Sequence, residues 1–63
     1  MWRVIYMTNT RDDAVRIEQL LLQDGFLVKI KSINKNNPQG ICEILVPQLE
    51  AEEAYMVLMQ HRL

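Results

Sequence analysis

The sequence is poor in the residues from which cross-links and reactive centres are made. It holds one cysteine, Cys42, and one histidine, His61. A lone thiol forms no internal disulfide, and a structural zinc needs about four ligands drawn mainly from Cys and His, so neither staple is available. Gly25 and Gly40 are the only glycines. Standing alone, they build no phosphate-cradling loop. An excess of one charge is missing too. Seven Lys+Arg face eight Asp+Glu, for a net charge of −1 and a pI near 5.7, a balance that points to no nucleic acid and no membrane surface. Aromatic residues make up 6% of the chain, and Trp2 and Tyr6 are not interleaved with enough base to stack on nucleobases. No apolar run approaches the roughly 18 residues of a membrane span. The opening Met-Trp-Arg-Val-Ile-Tyr lacks the apolar region and small-residue cleavage site of a signal peptide. With one unpaired cysteine, the expected location is cytoplasmic.

What the chain does have is apolar content, 49% of 63 residues. That length makes one domain, residues 1–63. Such a chain buries only about 60% of the surface its unfolded form exposes, and its core supplies roughly 3–5 kcal/mol without a staple. With disulfide and metal excluded, a partner chain remains. The expectation is a homodimer.

The stretch around which the rest is organised is Ile-Cys-Glu-Ile-Leu-Val, residues 41–46, set between Gly40 and Pro47. Five of its six side chains are apolar, which reads as a strand with neighbours on both sides. Earlier, residues 2–7 mix aromatic and β-branched types and form a first strand. Strict alternation places Trp2, Val4 and Tyr6 on its core side and Arg3, Ile5 and Met7 on the other. Thr8, Asn9 and Thr10 offer caps for a helix over residues 11–24, with Asp12 and Asp13 at its positive end. Ala14, Ile17, Leu20 and Leu21 form its inward stripe, and Gly25 ends it. Val15 and Leu22 make a second stripe, expected to cover the sheet edge.

A period of two resumes over residues 26–33, with Phe26, Val28 and Ile30 on one face and Leu27, Lys29 and Lys31 on the other. Residues 34–40 are polar and turn-rich, a loop between two strands. After Pro47, residues 48–62 read as a second helix with Glu50, Glu52 and Glu53 near its start. Ala51, Ala54, Tyr55 and Leu58 form its inward stripe, and Met56 falls opposite.

The order strand, helix, strand, strand, helix predicts an α+β fold, a ferredoxin-like βαββα two-layer sandwich without its last strand. The third strand lies between the other two, antiparallel to both (order 1-3-2), and both helices cover one face. Arg3, Lys29 and Lys31 are then expected on the opposite face with Glu43 standing between them, where opposite charges across strands contribute about 0.2–1 kcal/mol each. Ile5, Met7, Leu27, Ile41 and Leu45 add more apolar area to that open face than water normally meets, and the first strand has a free edge.

Catalytic chemistry finds no foothold. Cys42 alternates with Ile44 and Val46 toward the core and reads as a buried, inert thiol. His61 reads as a solvated residue at a helix end. Asp12 with Asp13, and Glu52 with Glu53, are adjacent on helices and point about 100° apart, so neither pair is a dyad. The expectation is no catalytic residue, no cofactor, no metal ligand and no enzyme. Candidate interaction residues are Asn34, Lys35, Asn36, Asn37 and Gln39 in the loop, with Arg3, Lys29 and Lys31 as a basic group for a phosphate or an acidic partner.

Trp2-Arg3-Val4-Ile5-Tyr6, the helical Ala14, Ile17, Leu20 and Leu21, Gly25-Phe26-Leu27-Val28 and Glu43-Ile44-Leu45-Val46-Pro47 leading into Glu52-Glu53-Ala54 together form a pattern. It resembles a family of very short bacterial proteins of undetermined function labelled prokaryotic signal-transducing proteins. The resemblance covers nearly the whole chain and rests on structural motifs, so it brings no functional residues. It implies a ferredoxin-like fold related in shape to the nitrogen-regulatory PII proteins, whose loop between strands two and three handles partners. Here that loop is residues 34–40, too short to copy the behaviour. Some similar proteins carry a glutamate decarboxylase label, but 63 residues cannot hold a Schiff-base lysine, a phosphate cradle and a ring-nitrogen partner together. Two functions are expected from these readings: a regulatory or protein-interaction module acting as a homodimer with an unknown protein partner, or a small-molecule sensor of PII or ACT type with a metabolite at the dimer interface.

Overall fold

Alternation along the most apolar strand sets the layers. A computed structural model describes residues 1–62, so residue 63 of the expected domain lies outside the described residues. Strand β3 (Cys42–Pro47) turns Cys42, Ile44 and Val46 to one side, where they are fully buried. Glu43, Leu45 and Pro47 face the other way and are half-buried. Strands β1 (Trp2–Thr8) and β2 (Lys29–Ser32) flank it, both antiparallel to it, in the order β1-β3-β2. Helices α1 (Arg11–Gln23) and α2 (Ala51–Gln60) complete the βαββα, α+β arrangement. Ala14, Ile17 and Leu21 of α1 and Ala51, Ala54 and Leu58 of α2 meet Phe26 and the three buried residues of β3 in one core. Both helices therefore cover one face and leave the other open.

Helix α1 begins and ends where its residues dictate. Thr10 is extended, and its Oγ1 accepts from the Asp13 N–H at 3.1 Å, a cap that contributes about 1 kcal/mol. At the other end Gly25 takes φ +88°, the left-handed region that a Cβ disfavours. That turn lets the Phe26 N–H donate to the Leu21 carbonyl at 3.1 Å and the Gly25 N–H to Leu22 at 3.0 Å, a Schellman closure. Phe26 is thereby delivered into the core beside Leu21.

That closure also shortens β2. Pairing was expected over residues 26–33, but the ladder covers Lys29–Ser32. The Phe26 amide is already used, and Leu27 would stand opposite Pro47, which has no N–H to give. One further bond, from the Ile33 N–H to the Ile41 carbonyl at 3.1 Å, carries the hairpin toward its loop.

Strand β1 departs further from expectation. Its register on β3 shifts between Val4 and Tyr6, so Trp2, Arg3 and Val4 pair with Pro47, Val46 and Leu45, while Tyr6, Met7 and Thr8 pair with Ile44, Glu43 and Cys42. Ile5 is the extra residue of a β-bulge. Directly opposed residues share a face. Trp2 and Val4 therefore join Leu45 and Pro47 on the open face, and Arg3 joins Val46 on the helix side. The expected faces of Trp2, Val4, Arg3 and Ile5 are corrected by that single inserted residue, and Ile5 packs against the core. Tyr6 and Met7 fall where alternation put them.

Three helical expectations also change. A 3₁₀ turn (Gln48–Glu50) precedes α2, which begins at Ala51 rather than residue 48. Tyr55 is exposed, and Val57 packs against the core in its place. Val15 and Leu22 are exposed and do not cover the sheet edge; they are apolar surface.

Candidate functional site

Three surfaces could carry function, and the first two adjoin at Met7. The first is the open sheet face. Trp2, Val4 and Met7 from β1, Ile41 and Leu45 from the β3 segment, and Leu27 and Ile33 around β2 supply its apolar side chains, interrupted by Lys29, Lys31 and Glu43. Met7 and Leu27 remain 53% and 62% exposed. Its charges are few. Lys31 is the direct cross-strand partner of Glu43, while Met7, not Arg3, stands on the other side of that carboxylate. Lys29 reaches across β3 and sets its ammonium 4.4 Å from the centroid of the Trp2 ring, a cation–π contact of about 0.5–1 kcal/mol at an exposed site. The edges are better defended than the face. The bulge disrupts β1, and β2 is four residues long with two lysines, both devices that discourage edge pairing.

The second surface is a cleft of about 490 Å³ on the helix side, over the end of β1. Tyr6, Met7, Thr8 and Asn9 form its floor, Asp13, Arg16, Ile17 and Leu20 of α1 form one wall, and His61 at the C-terminal cap of α2 closes the end. Thr8 is buried and spends its hydroxyl hydrogen on the Thr10 carbonyl at 2.8 Å. Asp13 and Arg16, a turn apart, form the one ion pair among the described residues. The Arg16 hydrogen bond and, secondarily, that from Thr10 hold the Asp13 carboxyl below the usual aspartate range.

The third surface is the loop. Asn34 organises it: its side-chain Oδ1 accepts from the Asn36 N–H at 2.9 Å, and its carbonyl accepts from the Asn37 N–H at 3.0 Å. Gly40 lies close to Asn37: a Cβ there would come within 2.9 Å of the side-chain Nδ2, which would have to swing aside, and 3.3 Å of the Asn37 carbonyl oxygen. Two residues that the sequence did not single out tether the loop. The Arg11 N–H donates to the Gln39 carbonyl at 3.0 Å, and Arg11 Nη1 donates to Ser32 Oγ at 3.0 Å. Ser32 in turn donates to the Pro38 carbonyl at 3.2 Å. Asn34, Lys35, Asn36, Asn37 and Gln39 are exposed on this pinned frame.

The candidate residues thus fall into three places. Lys29 and Lys31 share the open face, and the loop residues sit at the far end of the hairpin. Arg3 lines a hollow of about 400 Å³ with Val4, Ile5, Ala51, Glu52 and Tyr55. Its partner Val46 lies four residue steps along β3 from Cys42 at the loop end, about 13 Å of strand. No single basic site gathers them.

Cys42 is fully buried, and its Sγ lies 3.4 Å from the Gly40 carbonyl and 3.9 Å from Ser32 Oγ. Among the described residues no three of His, Cys, Asp and Glu converge as a metal set, and no helix is long and apolar enough to cross a membrane. Compared with protein-family models, curated proteins and solved structures, the chain matches none. The residues and their geometry carry the functional reading.

Proposed function

We propose that the protein is a non-enzymatic, cytosolic interaction module that pairs with a second copy of itself through the open sheet face. One observation carries this reading: a sheet face with many exposed apolar side chains, Met7 and Leu27 among them, around a Lys31–Glu43 pair, which no described element covers. Three strands about 4.8 Å apart and some six residues long span roughly 14 by 20 Å. Even with the whole face in contact, two such faces fall short of the roughly 1,200–2,000 Å² of stable interfaces. Pairing is therefore weak to moderate and is broken by one charge at the centre. Lys31 and Glu43 place opposite charges side by side on each face, so a second copy meets no field of one sign. In the pair, the loop over residues 34–40 stays outward and is the surface left for a different protein.

The test is native mass spectrometry with light scattering over a concentration series, on the wild type and on Leu45→Glu. The wild type gives a dimer that dissociates on dilution, and Leu45→Glu gives a monomer with an unchanged circular dichroism spectrum. A wild-type chain that stays monomeric at every concentration removes the reading.

A further inference from the structure

We propose that the cleft over the end of β1 is a binding site for a carboxylate carried on an apolar body, either a free small molecule or the acidic end of a peptide. This goes beyond self-pairing and does not depend on it, because the cleft lies on the helix side within one protomer. Its volume, about 490 Å³, falls in the range of roughly 300–1,000 Å³ that small-ligand sites occupy. Ile17, Leu20 and Met7 supply apolar wall.

The polar groups select the ligand's charge. Arg16 is 81% exposed and meets Asp13 through one nitrogen. A guanidinium carries five N–H donors in a planar fork, so a second carboxylate is received on the remaining edge without displacing Asp13. The Asp13 carboxylate also offsets much of the Arg16 charge, which favours a monoanion over a phosphate dianion. His61 and Tyr6 line the same space, and each side chain carries a group able to donate a hydrogen bond. Thr8 is committed to Thr10 and takes no part.

Strand β1 is the edge of the sheet, and beyond its bulge residues 6–8 pair regularly with β3 on their inner side. The same three residues line the cleft. An extended peptide ending there gains main-chain hydrogen bonds that a free acid does not.

The test uses ¹⁵N-labelled Leu45→Glu protein, so that dimer dissociation cannot mimic binding, and three probes: N-acetyl-leucine, its uncharged amide, and an acetylated tripeptide ending in leucine. N-acetyl-leucine is expected to give saturable amide shifts confined to residues 6–9, 13–20 and 61, with the amide probe about tenfold weaker. Arg16→Gln, an exposed change that leaves the core intact, lowers affinity for the acid about tenfold and leaves the amide probe unchanged. Tighter binding of the tripeptide than of the free acid assigns the ligand to a peptide at the β1 edge; equal binding assigns it to a small molecule. Absence of saturation, equal binding of acid and amide, or shifts centred on the open face overturns the proposal.

Discussion

The two faces of the sheet are built from the same strands and meet opposite fates. On the helix side Cys42, Ile44 and Val46 are wholly removed from water. One residue along, Leu45 and Glu43 are only half-buried, although Leu45 is as apolar as its neighbours. Burial here is decided by what lies over a side chain, not by its own hydrophobicity. Two helices are enough to cover one face, and no described element lies over the other. The open face keeps its apolar residues, so its composition points to a partner rather than to solvent.

The strongest way to break that comparison is to truncate matched residues on the two sides. Ile44→Ala leaves a cavity among Ile17, Leu21 and Leu58 and costs about 2–5 kcal/mol. A domain this small has roughly 3–5 kcal/mol in hand, so urea denaturation followed by circular dichroism should find it largely unfolded without denaturant. Leu45→Ala should cost the isolated protomer about 1 kcal/mol or less. Equal losses from the two would mean that the faces do not differ.

A smaller effect sharpens the open side. Lys29→Gln removes the cation from Trp2, the only tryptophan in the chain, at a cost of about 0.5–1 kcal/mol. Its emission should shift in Lys29→Gln and hold in Lys31→Gln; a shift in both would deny the contact. The smallest effect belongs to the helix side. The Asp13 pKa is lowered in the folded state, chiefly by the Arg16 hydrogen bond. Its contribution is present above the pKa that Asp13 has when unfolded, and is lost as acidification carries the pH down through the lower folded value. Asp13→Asn should flatten this part of a stability–pH curve measured at low salt, where surface pairs are least screened. An unchanged acid slope would show the pair to be without thermodynamic weight.

Much of the fold was legible in the residues. Thr10, the Asp12-Asp13 pair and Gly25 bracket α1, Pro47 stops β3, and the strand order follows from giving the most apolar strand two neighbours. The misses have one physical character. Trp2, Val4, Arg3 and Ile5 were placed on the wrong faces because a bulge adds one residue to one strand of a pair, and a pattern of period two has no mark for it. Val15 and Leu22 sat at helical spacing, but which stripe of α1 meets the sheet depends on the rotation of the helix on its partner. Among the candidate site residues the loop asparagines were readable from turn chemistry. Their anchors Arg11 and Ser32, and the cleft residues Arg16 and His61, were not, since each pair joins segments far apart in the chain.

The sequence by itself determined the elements, their order and the surplus of apolar surface, because capping, alternation and turn chemistry act between residues a few positions apart. Tertiary structure alone decided the register of β1, which apolar residues face outward, and the placing of Arg16 and His61 around one cleft over the end of β1. Those depend on how whole elements seat against one another, a balance of packing that no local stretch of residues contains.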